Sequence, residues 1–562
     1  MNPARLSPER QLEVCLQCHL ESTSHKLPYS IRPYGRSYFS YRAGEPLGDY
    51  ILHFDQSQQA GYADKFEIAH AGYRLLKSAC FLKSAGALTC TACHDPHGAS
   101  RGTQSSEGYD RICRNCHGPA LGRLVAGGKH TSSGRCVECH MPKRRTDDVV
   151  NAVMTDHYIV RRQSNRDLLA PRREVHDSDE TAYKGEVVLL YPRQPPNGET
   201  SLYVDVAQVT DGANLRAGIP RLERSIEVYQ PQQAEFYLEL ANAYARTRQL
   251  SKAFPWYEEA MRRKPESLPV RLNYAAALSE SGRAADVVKV LGAARSTAGQ
   301  DSALLNALGS AYLDLGRLGE ATAAFHRALA VDPELPEVYV NLGTALSRAG
   351  EQAAAIDALR NAIRLAPDLA AAHNNLATIF GQVGDFKQAQ LHFQDAIRMK
   401  PNYAEAHYNY GSALASARMF ESAKQELKTA LSLDPKLAEA AVRLGLVLAQ
   451  QGQLEAAIEQ YRRALEAKPQ LMSARFNLAL SLMRQGKNRE AKSHFETVIR
   501  SVPDDYEAHY HLGTILMDER AYESAILHLK MALKSPNPEL RSAVADAIRR
   551  GKEKKAHGTQ FP

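Results

Sequence analysis

From Ala234 onward, small and large apolar positions recur along the chain with a period of 34 residues. Ala241, Gly309, Gly343, Ala377, Gly411, Gly445, Ala479 and Gly513 hold the eighth position of that period. Ala253, Ala321, Ala355, Ala389, Ala423, Ala457, Ala491 and Ala525 hold the twentieth, and Tyr257, Phe325, Leu359, Phe393, Leu427, Tyr461, Phe495 and Leu529 the twenty-fourth. This spacing predicts two packed helices per unit: small residues let the pair approach closely, and large ones fill the gap to the next unit. Pro265, Pro333, Pro367, Pro401, Pro435, Pro469 and Pro503, spaced by 34 residues or once by 68, end the second helix because proline cannot continue one. A unit at 268–301 lacks the terminal proline but fills the period, giving nine units over 234–537. After about residue 538 the pattern predicts a capping helix, then a disordered basic tail at Arg549–Lys555.

Upstream the pattern weakens. In 179–233, Val187–Leu190 makes a short strand at most, Tyr191–Gly198 is a loop by its proline and glycine content, and Leu202–Val209 and Leu215–Val228 read as two short helices, a degenerate leading repeat. Residues 1–178 are polar and glycine-rich, as in Gly98–Gly108, with one stretch of helical apolar spacing at Phe66–Leu76. Such a segment buries too little apolar surface to offset its ordering entropy. A front region of this kind is expected to depend on something other than its own side chains for a core.

Composition narrows the class. Charged residues are 24% and hydrophobic residues 44%, with a net charge of +7 and a pI near 8.8. That mild basicity, spread over 562 residues, is no argument for nucleic acid. No apolar run approaches the roughly 20 residues of a membrane helix. The opening Met-Asn-Pro-Ala-Arg has no apolar signal segment.

Cysteine placement supplies the chemistry. Cys15-Leu-Gln-Cys18-His19, Cys90-Thr-Ala-Cys93-His94, Cys113-Arg-Asn-Cys116-His117 and Cys136-Val-Glu-Cys139-His140 are four C-x-x-C-H motifs, and they use eight of the nine cysteines. C-x-x-C-H is the pattern of c-type haem attachment: two thiols form thioethers to the porphyrin, and the next histidine falls under the iron. Structural zinc also uses C-x-x-C pairs, but gives no reason for a histidine after every second cysteine. A thioredoxin-like redox motif explains one such pair, not four. Four covalently attached haems are therefore expected, with His19, His94, His117 and His140 as proximal ligands.

Seven further histidines lie in this region: His25, His53, His70, His97, His130, His157 and His176. Six-coordinate iron needs a second axial ligand, and neutral imidazole serves. His97, which follows His94 across the stiffening Pro96, His130 and His157 are the leading distal candidates. His53 comes next, with His25 and His70; His176 reads as a surface histidine, and Met141 and Met154 are poorer candidates. Cys80, the ninth cysteine, reads as a buried small hydrophobe. Basic clusters at Lys143–Arg145, Arg161–Arg162 and Arg172–Arg173 suit either solvent or carboxylates, those of haem propionates or of an acidic partner.

The 34-residue pattern resembles the tetratricopeptide repeat, and Cys90–His97 with Cys136–Pro142 resemble tetrahaem and doubled C-x-x-C-H cytochromes. The resemblance implies an all-α chain: a loop-rich multihaem domain at 1–178, a linker and leading repeat at 179–233, a superhelix at 234–537, and a cap and tail at 538–562. It implies bis-histidine haems close enough to pass electrons, an extracytoplasmic (periplasmic) location whose export signal precedes the present start, and redox partners docked by the repeats. Asn273, Asn341, Asn375, Asn409 and Asn477 share the sixth repeat position. Their amides could line the concave groove as a ladder for an extended peptide, or asparagine could simply be common there. The competing functions are a multihaem reductase of small nitrogen or sulfur compounds with one open iron site, and a non-redox adaptor with a metal-stabilised front.

Overall fold

The computed structural model describes residues 5–20, 30–37, 40–57, 71–94, 106–131, 135–146, 153–161, 166–170, 185–192, 198–293 and 301–558. The chain divides into two units, Met1–Arg295 and Ser296–Pro562, and it is mostly helical, with a loop-rich front.

The first unit begins with α1 (Pro8–His19), β1 (Ser30–Ile31), β2 (Leu52–Gln56), α2 (Ala71–Lys77) and α3 (Ala79–Lys83). Short helices α4 (Cys90–Cys93) and α6 (Cys136–His140) flank the longer α5 (Ser106–Ala126), and β3 (Lys143–Arg145), β4 (Val153–Thr155) and β5 (Val187–Tyr191) follow. Two small antiparallel sheets form, one in the order β1-β2-β5 and one of β3 with β4. A modest core gathers Leu12, Leu16, Leu20, Leu47, Tyr73, Leu76 and Tyr191. The strand at 187–191, expected within a linker, is thus a full member of the front sheet. Its Tyr191 hydroxyl also donates to Glu13 of α1.

Next come α7 (Glu199–Val209) and α8 (Leu215–Tyr229), then the pairs α9 (Ala234–Arg246) with α10 (Leu250–Arg263) and α11 (Leu268–Glu280) with α12 (Ala284–Gly292). An aromatic trio ties this part to the front: the Tyr34 ring lies 5.2 Å from Tyr203 and 4.8 Å from Phe236, and the Tyr34 N–H donates to the Tyr203 hydroxyl at 2.8 Å.

The second unit stacks α13 (Ser302–Asp314), α14 (Leu318–Val331), α15 (Pro336–Arg348), α16 (Gln352–Leu365), α17 (Ala370–Gln382), α18 (Phe386–Met399), α19 (Ala404–Ser416) and α20 (Phe420–Leu433). It continues through α21 (Ala438–Gln450), α22 (Leu454–Ala467), α23 (Met472–Arg484), α24 (Asn488–Ser501), α25 (Tyr506–Asp518), α26 (Tyr522–Ala532) and α27 (Pro538–Gly558). One apolar cluster runs from Leu305 to Ala525 through the eighth, twentieth and twenty-fourth positions. Each second helix stops two residues before its proline, as at Val331 and Met399, because the residue preceding a proline is driven out of helical geometry.

One expectation is corrected here. The basic stretch 549–555 is not left as a disordered tail: α27 runs through it to Gly558. Val544 and Ala547 bury against Leu529 and Ala532, and Arg549 pairs with Asp546 at 2.9 Å, so the helix has an anchored face and local charge compensation. The asparagine ladder is engaged within the fold. Asn341, Asn375 and Asn409 donate to Asn306, Thr344 and Asn374 of the preceding repeat at 2.9, 3.1 and 3.1 Å. Asn273 and Asn477 donate to carbonyls four residues back in their own helices. These amide donors join repeats or brace helices.

Candidate haem-attachment region

The four C-x-x-C-H motifs sit at four local settings. The first closes α1, the second forms α4, the third lies within α5 and the fourth forms α6. Helices α4 and α6 bury none of their own residues, and no described motif cysteine is fully buried. A one-turn helix with no buried face gains little from packing, so these segments suit a partner group that supplies the missing contacts.

The cysteines nevertheless converge. The Cys90 thiol donates to the Cys15 sulfur, which pushes Cys15 down to about 7 and Cys90 far above the usual thiol range. The first and second motifs therefore adjoin through their leading cysteines. Burial pushes the Cys113 thiol up to about 11, with the nearby Cys136, Cys93, Asp110 and Cys80 acting in the same direction. Cys80 was expected to be a buried hydrophobe. It is half-buried, and burial and Cys116 both raise its pKa, so it borders the motif cysteines. The buried Asp110 of α5 accepts from the Val137 N–H at 3.3 Å and links the third motif's helix to the fourth's.

Two pairs of histidine rings lie close together. His94 and His157 have ring centroids 6.1 Å apart, and His130 and His140 6.2 Å apart. A metal–imidazole bond is about 2 Å and the ring centroid lies ~1.1 Å behind the nitrogen, so imidazoles on opposite sides of one iron have centroids roughly 6 Å apart. The hydrogen bonds agree. The Nδ1 atoms of His140, His130 and His157 lie 2.6, 2.8 and 3.1 Å from the carbonyls of Val160, Thr131 and Thr155. A carbonyl only accepts, so each Nδ1 carries the proton and each Nε2 the lone pair, as an iron ligand requires.

His157 is held from its neighbour. Asp156, 3% exposed, receives a bidentate grip from the buried Arg74 at 2.9 and 2.7 Å and lies 3.8 Å from Arg144. It also accepts the Tyr158 N–H at 2.8 Å, and Arg74 sits over the Tyr158 ring. Sequence reasoning missed this network because its members come from α2, β3 and the segment after β4; only the aspartate's adjacency to a candidate histidine pointed to it.

His53, on β2, is 5% exposed, and neither ring nitrogen has a hydrogen-bond partner. Burial pushes it down to about 4. A buried imidazole unsatisfied at both nitrogens is costly, and coordination would satisfy it. His117 is exposed on α5, and among the described residues no second ring stacks on it. His25, His70, His97 and His176 lie outside the described residues, as do the side chains of Cys18 and His19. The donor set thus fits haem: paired thiols, an adjacent imidazole in each motif, and second imidazoles at the right separation for two of them.

Comparison with known proteins agrees in kind. The doubled CXXCH motif family matches residues 84–122, which hold the second and third motifs. Tetratricopeptide repeat families match 201–368, 382–441, 445–486 and 476–539. The first of these matches includes α7 and α8. No curated protein matches the chain. Among solved structures, the pilF protein of Pseudomonas aeruginosa is 21% identical, covering 38% of this chain and 97% of its own, with a TM-score of 0.35. Human IFIT1, solved as a dimer with m7Gppp-AAAA, is 20% identical over 60% of this chain and 86% of its own, with a TM-score of 0.41. The APC/C hetero-tetramer Cut9–Hcn1 gives 12% identity over 63% and 96%, with a TM-score of 0.35. Likenesses this distant carry nothing about activity.

Proposed function

We propose, for a chain that joins a doubled-CXXCH, multihaem-cytochrome-type region to a tetratricopeptide array, that it is an extracytoplasmic electron-transfer protein whose repeats dock protein partners. In this reading residues 1–178 hold four covalent haems and 234–537 present the docking surface. The cysteine pairs of each motif make the thioethers, and His19, His94, His117 and His140 stand as proximal ligands. His157 serves opposite His94, and His130 opposite His140; His53 is assigned to the first motif's iron and His97 remains a candidate for the third. Bound haem supplies one-electron chemistry. The repeats support the interaction role, since stacked helix pairs of this kind present extended binding surfaces. No helix among the described residues is long and apolar enough to cross a membrane.

The observation that carries the reading is the two imidazole pairs at 6.1 and 6.2 Å, three of whose members turn Nδ1 to a backbone carbonyl. At those two irons a pair of nitrogen donors would leave no open position, which supports electron transfer there. Asp156 and Arg74 keep the His157 segment in place, so little rearrangement accompanies a change of charge nearby.

The test is the haem-loaded chain, matured in an export-competent host. Denatured mass should show four added haems, and electron paramagnetic resonance should show low-spin iron. His157→Ala and His130→Ala should each convert one haem to high spin and raise its potential while leaving attachment intact. Low-spin signals unchanged in both variants would remove the assignment. Stoichiometric zinc without a Soret band would remove haem altogether.

A further inference from the structure

Away from the haem region, the repeat array brings three metal-ligating side chains to one place. His373 of α17 and His392 and Asp395 of α18 have ligand atoms all within 4.8 Å of one another. The His373 Nδ1 lies 3.0 Å from the His392 Nδ1 and 3.9 Å from an Asp395 carboxylate oxygen. Tetrahedral zinc, with bonds of about 2 Å, sets its ligand atoms roughly 3.3 Å apart, so small side-chain rotations close the site.

The surroundings orient these ligands. The Nε2 of His373 donates to the Pro367 carbonyl at 3.3 Å, which leaves its Nδ1 as the lone-pair atom facing His392. His373 is buried, while His392 and Asp395 are half-buried, so the site is reachable from solvent. His392 stacks on Phe380 with planes 6° apart, which limits its ring to one orientation. Arg398 holds the other Asp395 oxygen at 2.8 Å, the outer contact a ligating carboxylate commonly keeps. Without a metal, the neutral His392 Nδ1–H donates to His373. On metal binding that proton moves to the His392 Nε2, so no net charge need be lost from the protein.

The neighbouring repeats supply an internal comparison. His407 faces Glu426, and His509 lies 2.9 Å from His528 by their Nδ1 atoms, at the same two repeat positions. His407 and His509 likewise turn Nε2 to a proline carbonyl. An interhelical histidine bond is thus a recurrent brace of this array. Only the 370–399 repeat adds a carboxylate three residues after the second histidine: the equivalent positions after Glu426 and His528 are Thr429 and Met531. Among the described residues no other group of three or more ligating side chains clusters this way.

We propose that His373, His392 and Asp395 form a divalent transition-metal site of the zinc class, clamping α17 to α18 with a fourth position open to solvent or to a ligand from a docked partner. Two imidazoles and a carboxylate suit zinc, nickel or copper rather than magnesium or calcium. The proposal is independent of the haem reading. The test uses the full chain without an affinity tag, its thiols occupied by haem or otherwise alkylated, so that cysteines do not compete as ligands. Equilibrium dialysis against zinc chloride, followed by elemental analysis, should find one zinc per chain, and X-ray absorption should show nitrogen and oxygen neighbours without sulfur. Asp395→Asn, which keeps shape and packing, should weaken binding at least tenfold. His392→Ala should abolish it, and His528→Ala should leave it unchanged, all with unaltered helical circular dichroism. Failure of the wild-type chain to retain zinc overturns the site, as does retention unaffected by the first two changes or loss caused equally by His528→Ala.

Discussion

Single side chains decide more at Asp156 than its position in a polar segment suggests. The Arg74–Asp156 pair is buried at both ends, and removing one partner of such a pair typically costs about 3–5 kcal/mol because the other charge stays desolvated. Arg74→Met should therefore destabilise the haem-loaded front by about 3 kcal/mol in chemical unfolding. Arg221→Ala, which breaks an exposed pair with Glu186, should change it by under about 1 kcal/mol; equal effects would deny the network its role. A second residue-scale prediction concerns Gly445, where an added Cβ would lie 2.6 Å from the Tyr461 ring. Gly445→Ala should cost about 1–3 kcal/mol by overpacking, read from the array's unfolding midpoint. Small residues at the eighth position were legible from the period itself. The Asp156 network was not, since none of its contacts is local in sequence.

Among the elements, the turn between the two helices of each repeat has its own rule. Gly282, Gly316, Gly350, Gly384, Gly452 and Gly486 take positive φ there, and Arg248, Arg418 and Arg520 stand at the equivalent turns with φ of 59°, 61° and 60°. A side chain in this left-handed geometry costs about 1–2 kcal/mol. Arg418→Gly and Arg520→Gly should each raise the thermal midpoint, corresponding to about 1 kcal/mol once glycine's greater unfolded freedom is subtracted; no rise in either would contradict the turn rule. Helix α25 carries a pH effect. Burial holds His511 below its usual value of 6.5, where it stacks on Phe495. The folded form then binds the proton less readily than the unfolded one, so His511 contributes stability above the ordinary histidine value and loses it as pH falls. Melting should drop on acidification from neutral pH, and His511→Phe should flatten that dependence.

For the whole molecule, contacts divide the chain into units at 295/296, within the repeats. A fragment of residues 296–562 holds its own apolar cluster and should melt cooperatively as a helical protein without cofactor. A fragment starting at residue 200 loses Tyr34 from beside Tyr203 and Phe236; it should be helical but bind a hydrophobic dye that the haem-loaded chain does not. Equal dye binding by both would mean that the aromatic trio shields nothing. The sequence by itself determined the repeat period, the helix-ending prolines, the packing positions and the four C-x-x-C-H motifs, because each is written in residues a few places apart whose spacing maps directly onto local geometry. Only the tertiary structure decided which histidine rings lie beside each other, that Val187–Tyr191 joins the front sheet, that three of the repeated asparagines bond to side chains of the preceding repeat, and that one repeat gathers two histidines and an aspartate. Those outcomes depend on where the chain's path returns, and local propensity carries no information about that path.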